Sequence, residues 1–139
     1  MVGHVNHATV DFAAQTLPNA VGKSLQSAAM NTADLHHDVV SRLLSDTIAS
    51  VDKTITSEFL RIFQGGESSL RSLDSATASS FINDHATDGS RFTCASRMLG
   101  GSTVLLTLFD EKTGRLWIAN LGDSCAGMTR ENSEVIQLF

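Results

Sequence analysis

The feature that most constrains this chain is the apolar pattern over residues 33–63. Leu35, Val39, Leu43, Leu44, Ile48, Val51, Ile55, Phe59 and Ile62 recur every three or four positions. Asp34, Arg42, Asp46, Asp52, Lys53 and Glu58 fall between them. This spacing puts the apolar side chains on one face of an α-helix and the charged ones on another. One long amphipathic helix, or two consecutive ones, is expected. Gly65-Gly66 marks its end.

Upstream, Val10, Ala13, Ala14, Leu17 and Val21 predict a second helix over about 9–25, with Asn6 or Thr9 capping its start. Pro18 lies inside it. Proline lacks an N–H and its ring crowds the preceding turn, so a kink or a restart is expected there. Residues 6–64 therefore read as helical. Residues 65–99 are rich in Ser, Thr, Asp and Ala. Only short helices around 70–74 and 77–83 and a turn at Asp88-Gly89 stand out, so a poorly ordered connection is expected. From residue 100 to 139 the pattern is β-rich. Residues 103–109 and Arg115–Leu121 read as an antiparallel hairpin around a turn at 110–114. A further pair, 128–130 with 135–139, would turn around Glu131-Asn132. The class implied is α+β, in a single domain without internal repeats.

At 139 residues and 42% hydrophobic content the chain can bury one ordinary core. Its 18% of charged residues is too few for a disordered chain of this hydrophobicity. A formal net charge of −5, with no Lys/Arg cluster, argues against a nucleic-acid partner. The apolar stretches are too short to span a membrane, and no secretory apolar region follows Met1. An intracellular address, cytoplasmic or nuclear, is expected. A mitochondrial one would need an upstream segment. Cys94 and Cys125 match neither a disulfide framework nor a zinc spacing, and read as buried or half-buried thiols.

The segment 100–124, GGSTVLLTLFDEKTGRLWIANLGDS, carries Gly101-Ser102-Thr103 leading into one strand, and Trp117, Ala119-Asn120 and Gly122-Asp123-Ser124 on and after the next. Near the start, Gly3-His4 precedes a helix bearing Phe12-Ala13-Ala14 and Leu17-Pro18. These residues and their spacing resemble the PPM-type (type 2C) metal-dependent serine/threonine protein phosphatases, over most of the chain except 66–99. The resemblance implies a sandwich of two antiparallel sheets flanked by helices, here a partial domain truncated at both ends, since the chain ends at Phe139 on an apolar strand edge. It implies hydrolysis of phosphoserine and phosphothreonine on a phosphoprotein substrate, by a water activated between two Mg²⁺ or Mn²⁺ ions.

Residue by residue, Gly3 matches the position whose backbone carbonyl contacts a metal. His4 matches the general acid toward the leaving alcohol, a role that suits an imidazole. Asp123 matches an acidic residue of an additional metal site. The family's bridging Asp, before the Gly-His pair, is Val2 here, which cannot ligate. The chain alone is therefore expected to be inactive, and a non-catalytic remnant or binding module is the alternative.

Other chemistry-bearing residues have plainer readings. His36-His37-Asp38 looks rich in ligands, but successive helix residues point in different directions, so a solvated helix face is expected. Ser124 and Asp123 suit a turn after a strand. Gly100-Gly101 opens a strand and lacks the Lys-Ser/Thr of a phosphate loop. Gly122-Asp123-Ser124 superficially resembles a serine-hydrolase nucleophile, yet Cys125-Ala126 replace the glycines that shape an oxyanion hole, and no His follows His85.

Overall fold

The computed structural model describes residues 2–31, 35–83, 89–129 and 136–137, with side chains at all of these except 2–4, 31 and 137. The long amphipathic pattern forms one helix, α2 (His37–Arg61), which ends before Gly65-Gly66. Its buried stripe is Val40, Leu44, Thr47, Val51 and Ile55. Val39, placed on the apolar face by its spacing, is 47% exposed. Thr47 enters the stripe because its hydroxyl has a polar neighbour across the helix interface, Ser24 Oγ at 3.4 Å.

Helix α1 (Ala8–Asn31) runs unbroken through Pro18, contrary to the expected kink or restart. Pro18 and Ala14, whose carbonyl loses its helical partner, are both on the exposed side. That carbonyl can turn to water, while Leu17 and Val21 hold the opposite side against α2 and the sheet. Asn6 acts as the expected cap, its Oδ1 accepting from the Ala8 N–H at 2.9 Å.

Strands β1 (Val2–His4), β2 (Gly101–Asp110) and β3 (Arg115–Leu121) form an antiparallel sheet in the order β1-β2-β3. Side chains alternate across it. Val104, Leu106 and Leu108 of β2, with Trp117 and Ala119 of β3, pack on the helices. The other face carries Phe109 and Leu116, 59% and 46% exposed. The core is two adjoining clusters. Ala13, Leu17, Val51 and Val104 form one; Val21, Val40 and Leu44 form the other. Leu106 packs against both.

The hairpin turn is held by the Asp110 carboxylate, which accepts from the Thr113 hydroxyl and from the Lys112 N–H at 3.0 Å. Those two bonds, the Thr113 one first, hold its carboxyl below the ordinary value of 3.8. Strands β4 (Gly127–Met128) and β5 (Ile136–Gln137) make a separate antiparallel pair. The turn expected at Glu131-Asn132 lies outside the described residues. The protein is thus α+β, with helices on one face of a three-stranded sheet.

Residues 65–99, read as a poorly ordered connection with short helices around 70–74 and 77–83, contain among the described residues α3 (Gly66–Ser72), α4 (Ser75–Ile82) and α5 (Ser90–Leu99), of which α5 was not expected. Asp74 caps α4 through the Thr77 N–H at 2.9 Å. Phe81 stacks on Phe63 with ring centroids 5.1 Å apart. Helix α5 buries Ala95 and is fastened mainly by polar contacts. Arg97 pairs with Glu58 of α2 at 2.9 Å and lies over the Phe12 ring of α1 at 4.3 Å. The Asn6 Nδ2 donates to the Ser96 carbonyl at 2.9 Å, and the Thr9 hydroxyl to the Arg97 carbonyl at 2.7 Å. The Thr9 bond reaches a carbonyl of the last turn of α5, while the Asn6 bond adds a second donor to the Ser96 carbonyl, which also accepts from the Gly100 N–H at 3.1 Å. Gly100 is needed at this crossing, because a Cβ there would collide with Thr9 Oγ1 and crowd Asn6 Oδ1. His85 and Asp88 lie outside the described residues. Of the two thiols, Cys94 is half-buried as expected, whereas Cys125 is exposed because it follows β3 in the irregular segment before β4.

Two outcomes follow from this packing. Leu44 is 1% exposed at the centre of the second cluster, so Leu44→Ala should lower the unfolding free energy by about 2–5 kcal/mol in a urea titration. A group whose folded value is depressed contributes stability that is present above its unfolded value and lost as pH falls through the folded one. Asp110→Asn should therefore lose less thermal stability than the native chain as pH falls through and below the ordinary carboxyl value of 3.8.

Candidate functional site

Three sequence segments meet at the start of β2. Gly3 pairs with Ser102, His4 with Gly101 and Val2 with Thr103. The turn after β3 folds back onto the same place. Ser124 Oγ donates to Thr103 Oγ1 at 3.0 Å, and Asn120 Nδ2 donates to the Ser124 carbonyl at 2.7 Å. Gly122 is required at this turn for two reasons. Its φ is +105°, and a Cβ would come within 2.7 Å of Thr103 Cγ2. The Gly-Asp-Ser run is thereby placed beside the Gly-Ser-Thr run. The positions of Gly3, His4 and Asp123 thus lie at one end of one sheet.

The backbone of His4 is fixed in β1, and its side chain lies outside the described residues. Asp123 is exposed. Ser124 is half-buried, with its hydroxyl committed to Thr103, which suits a structural role better than a nucleophile's. Val5 follows His4 with φ +71° and 88% exposure. A β-branched residue is strained in that left-handed conformation. Asn6 and Thr9 complete the surroundings through their bonds to α5.

Mg²⁺ and Mn²⁺ take about six oxygen ligands each, including carboxylates. The described polar side chains around this end include the hydroxyls of Thr9, Ser102, Thr103 and Ser124, the Asn6 amide and the carboxylates of Asp123 and of Asp52, which lines a cavity with Thr9, Gly101 and Ser102. Val2, at the position where the resemblance expects a bridging carboxylate, has no side-chain oxygen to offer. This donor set does not fit a pair of hard divalent ions.

A second concave feature runs between α2 and β3, the edge strand of its sheet among the described residues. This groove of about 1000 Å³ is walled by Ser41, Ser45 and Ala49 on one side and Arg115–Leu121 on the other. The Trp117 indole N–H donates to the His37 carbonyl at 3.3 Å across one end. Asp123 is not among the described residues that line it. No helix among the described residues is long and apolar enough to cross a membrane. Compared with family models, with curated proteins and with solved structures, the chain finds no match in any of the three.

The backbone strain beside His4 is testable. Asn accepts the left-handed conformation far better than Val, and Val5 has little packing to lose. Val5→Asn should raise the unfolding free energy by about 1 kcal/mol, read as a higher midpoint in urea.

Proposed function

We propose that this chain is a partial PPM-type phosphatase domain that retains one end of the phosphate-handling site without a complete metal centre. The observation that carries this reading is the meeting of Gly3-His4, Gly101-Ser102-Thr103 and Gly122-Asp123-Ser124 at the start of β2. The last two runs belong to one hairpin, whereas Gly3-His4 lies almost a hundred residues upstream and reaches them through the pairing of β1 with β2. The element order supports the reading: a strand ending in Gly-His, two long helices, then a hairpin covered by those helices.

In this reading His4 occupies the place of the acid toward the leaving alcohol, the Gly3 carbonyl faces the metal side, and Asp123 belongs to an additional metal position. When bound, paired Mg²⁺ or Mn²⁺ would supply the activated water. With Val2 at the bridging position and only Asp52 and Asp123 as described carboxylates nearby, the chain alone does not hold that pair, and no turnover is expected from it. The second reading is a non-catalytic module that binds phosphorylated segments or partner proteins. Val2 favours it over an active enzyme.

Two measurements on the folded chain separate these. Hydrolysis of p-nitrophenyl phosphate with and without Mn²⁺ is expected at the buffer rate. Mn²⁺-dependent turnover that His4→Ala reduces would show a working metal centre, and would remove both the module reading and the claim that the metal centre is incomplete. Titration with a phosphoserine peptide is expected to shift amide resonances at 101–103 and 122–124. A peptide that leaves those amides unmoved, with no turnover, would sink the phosphate-site reading.

A further inference from the structure

His36, His37 and Asp38 sit at the start of α2, away from the start of β2. Consecutive residues within a helix diverge, yet here the side chains converge. The reason is local. His36 is the N-cap, with φ −59° and ψ +144°, so it stands outside the helical path and its side chain turns back over the first turn. Its imidazole Nδ1 lies 3.4 Å from one Asp38 oxygen, and the His37 Nε2 lies 2.9 Å from the other. The two rings stand 4.4 Å apart, and one donor atom from each of the three residues lies within 4.8 Å of the others.

The backbone beneath is held in place. The His36 carbonyl accepts from the Val39 and Val40 N–H groups at 3.0 and 3.2 Å, and the His37 carbonyl accepts from the Trp117 indole. The three donors are therefore presented on a fixed base, 60–68% exposed and open to solvent.

We infer that this cluster is a binding site for a borderline transition-metal ion, Zn²⁺ or Ni²⁺. Two imidazole nitrogens and one carboxylate oxygen suit those ions, whereas Mg²⁺ and Mn²⁺ favour oxygen donors. With metal–ligand bonds of about 2.0–2.1 Å, donors around a tetrahedral zinc stand roughly 3.3 Å apart. The two imidazoles approach different Asp38 oxygens, at 3.4 and 2.9 Å, and one donor atom from each residue lies within 4.8 Å of the others, so side-chain rotations that draw these exposed donors together would complete a three-donor set, with water in the remaining position. The helix N-terminus carries a partial positive charge that opposes a cation, and the full negative charge of Asp38 outweighs it. His37 also lines the groove between α2 and β3, which places the ion at the mouth of that groove.

The test is calorimetric titration of the whole chain with ZnCl₂, with NiCl₂ and MgCl₂ run in parallel. Binding of one Zn²⁺ is expected, with Mg²⁺ in excess failing to compete. The double variant His36→Ala/His37→Gln and the single variant Asp38→Asn should each weaken binding at least about tenfold. All three positions are exposed, and circular dichroism of each variant checks that the fold is retained. In parallel, Ni²⁺ should broaden the imidazole resonances of His36 and His37 before those of His4, His7 or His85. Absence of Zn²⁺ binding would overturn the inference. So would an affinity unchanged in the double variant, or broadening that starts at another histidine or near Cys94 or Cys125.

Discussion

The structure depends on the central strand β2 being paired on both edges while its Val104, Leu106 and Leu108 face is closed by α1 and α2. Leu106 belongs to neither apolar cluster alone. It packs against both, and through it the α1–α2 pair is seated on the sheet. Hydrogen bonding sets the register of β1 and β3 on β2, and apolar burial sets which face the helices cover. The start of β2 can gather Gly3, His4 and Asp123 only because both constraints act on the same strand.

Legibility in the sequence followed the strength of the periodic signal. Helix α2 and the β2–β3 hairpin were readable because many apolar residues repeat in register, at helical spacing in one and in a continuous β-branched and leucine run in the other. Helix α5 was not, because its one buried side chain is Ala95 and its attachments are made by Asn6, Thr9 and Glu58 from elsewhere in the chain. Such side-chain-to-carbonyl bonds leave no periodic trace. Pro18 misled for a different reason. The effect of a proline depends on whether the carbonyl it orphans faces water, and that is a tertiary property.

The site was partly legible. Gly122 carries its own signal, since a glycine beside a strand end often marks positive φ or close approach, and here it marks both. The neighbourhood of His4 was legible only as a motif, and the strain at Val5 was invisible without dihedrals. The convergence of His36, His37 and Asp38 ran against a sound rule about helix faces. The rule fails at an N-cap, where the backbone has not yet entered the helix.

The stitches from Asn6 and Thr9 to the end of α5 span 90 and 88 residues of sequence. The pairing of β1 with β2 spans a similar distance. Closing so long a loop carries an entropic cost that local contacts do not. The α1–α2 hairpin has no such requirement, since its partners are neighbours in sequence. During synthesis the helical pair can therefore assemble first, while β1 waits for residues made much later. The end of the sheet where Gly3 and His4 reside is then among the last parts to form, and unfolding should reopen it early.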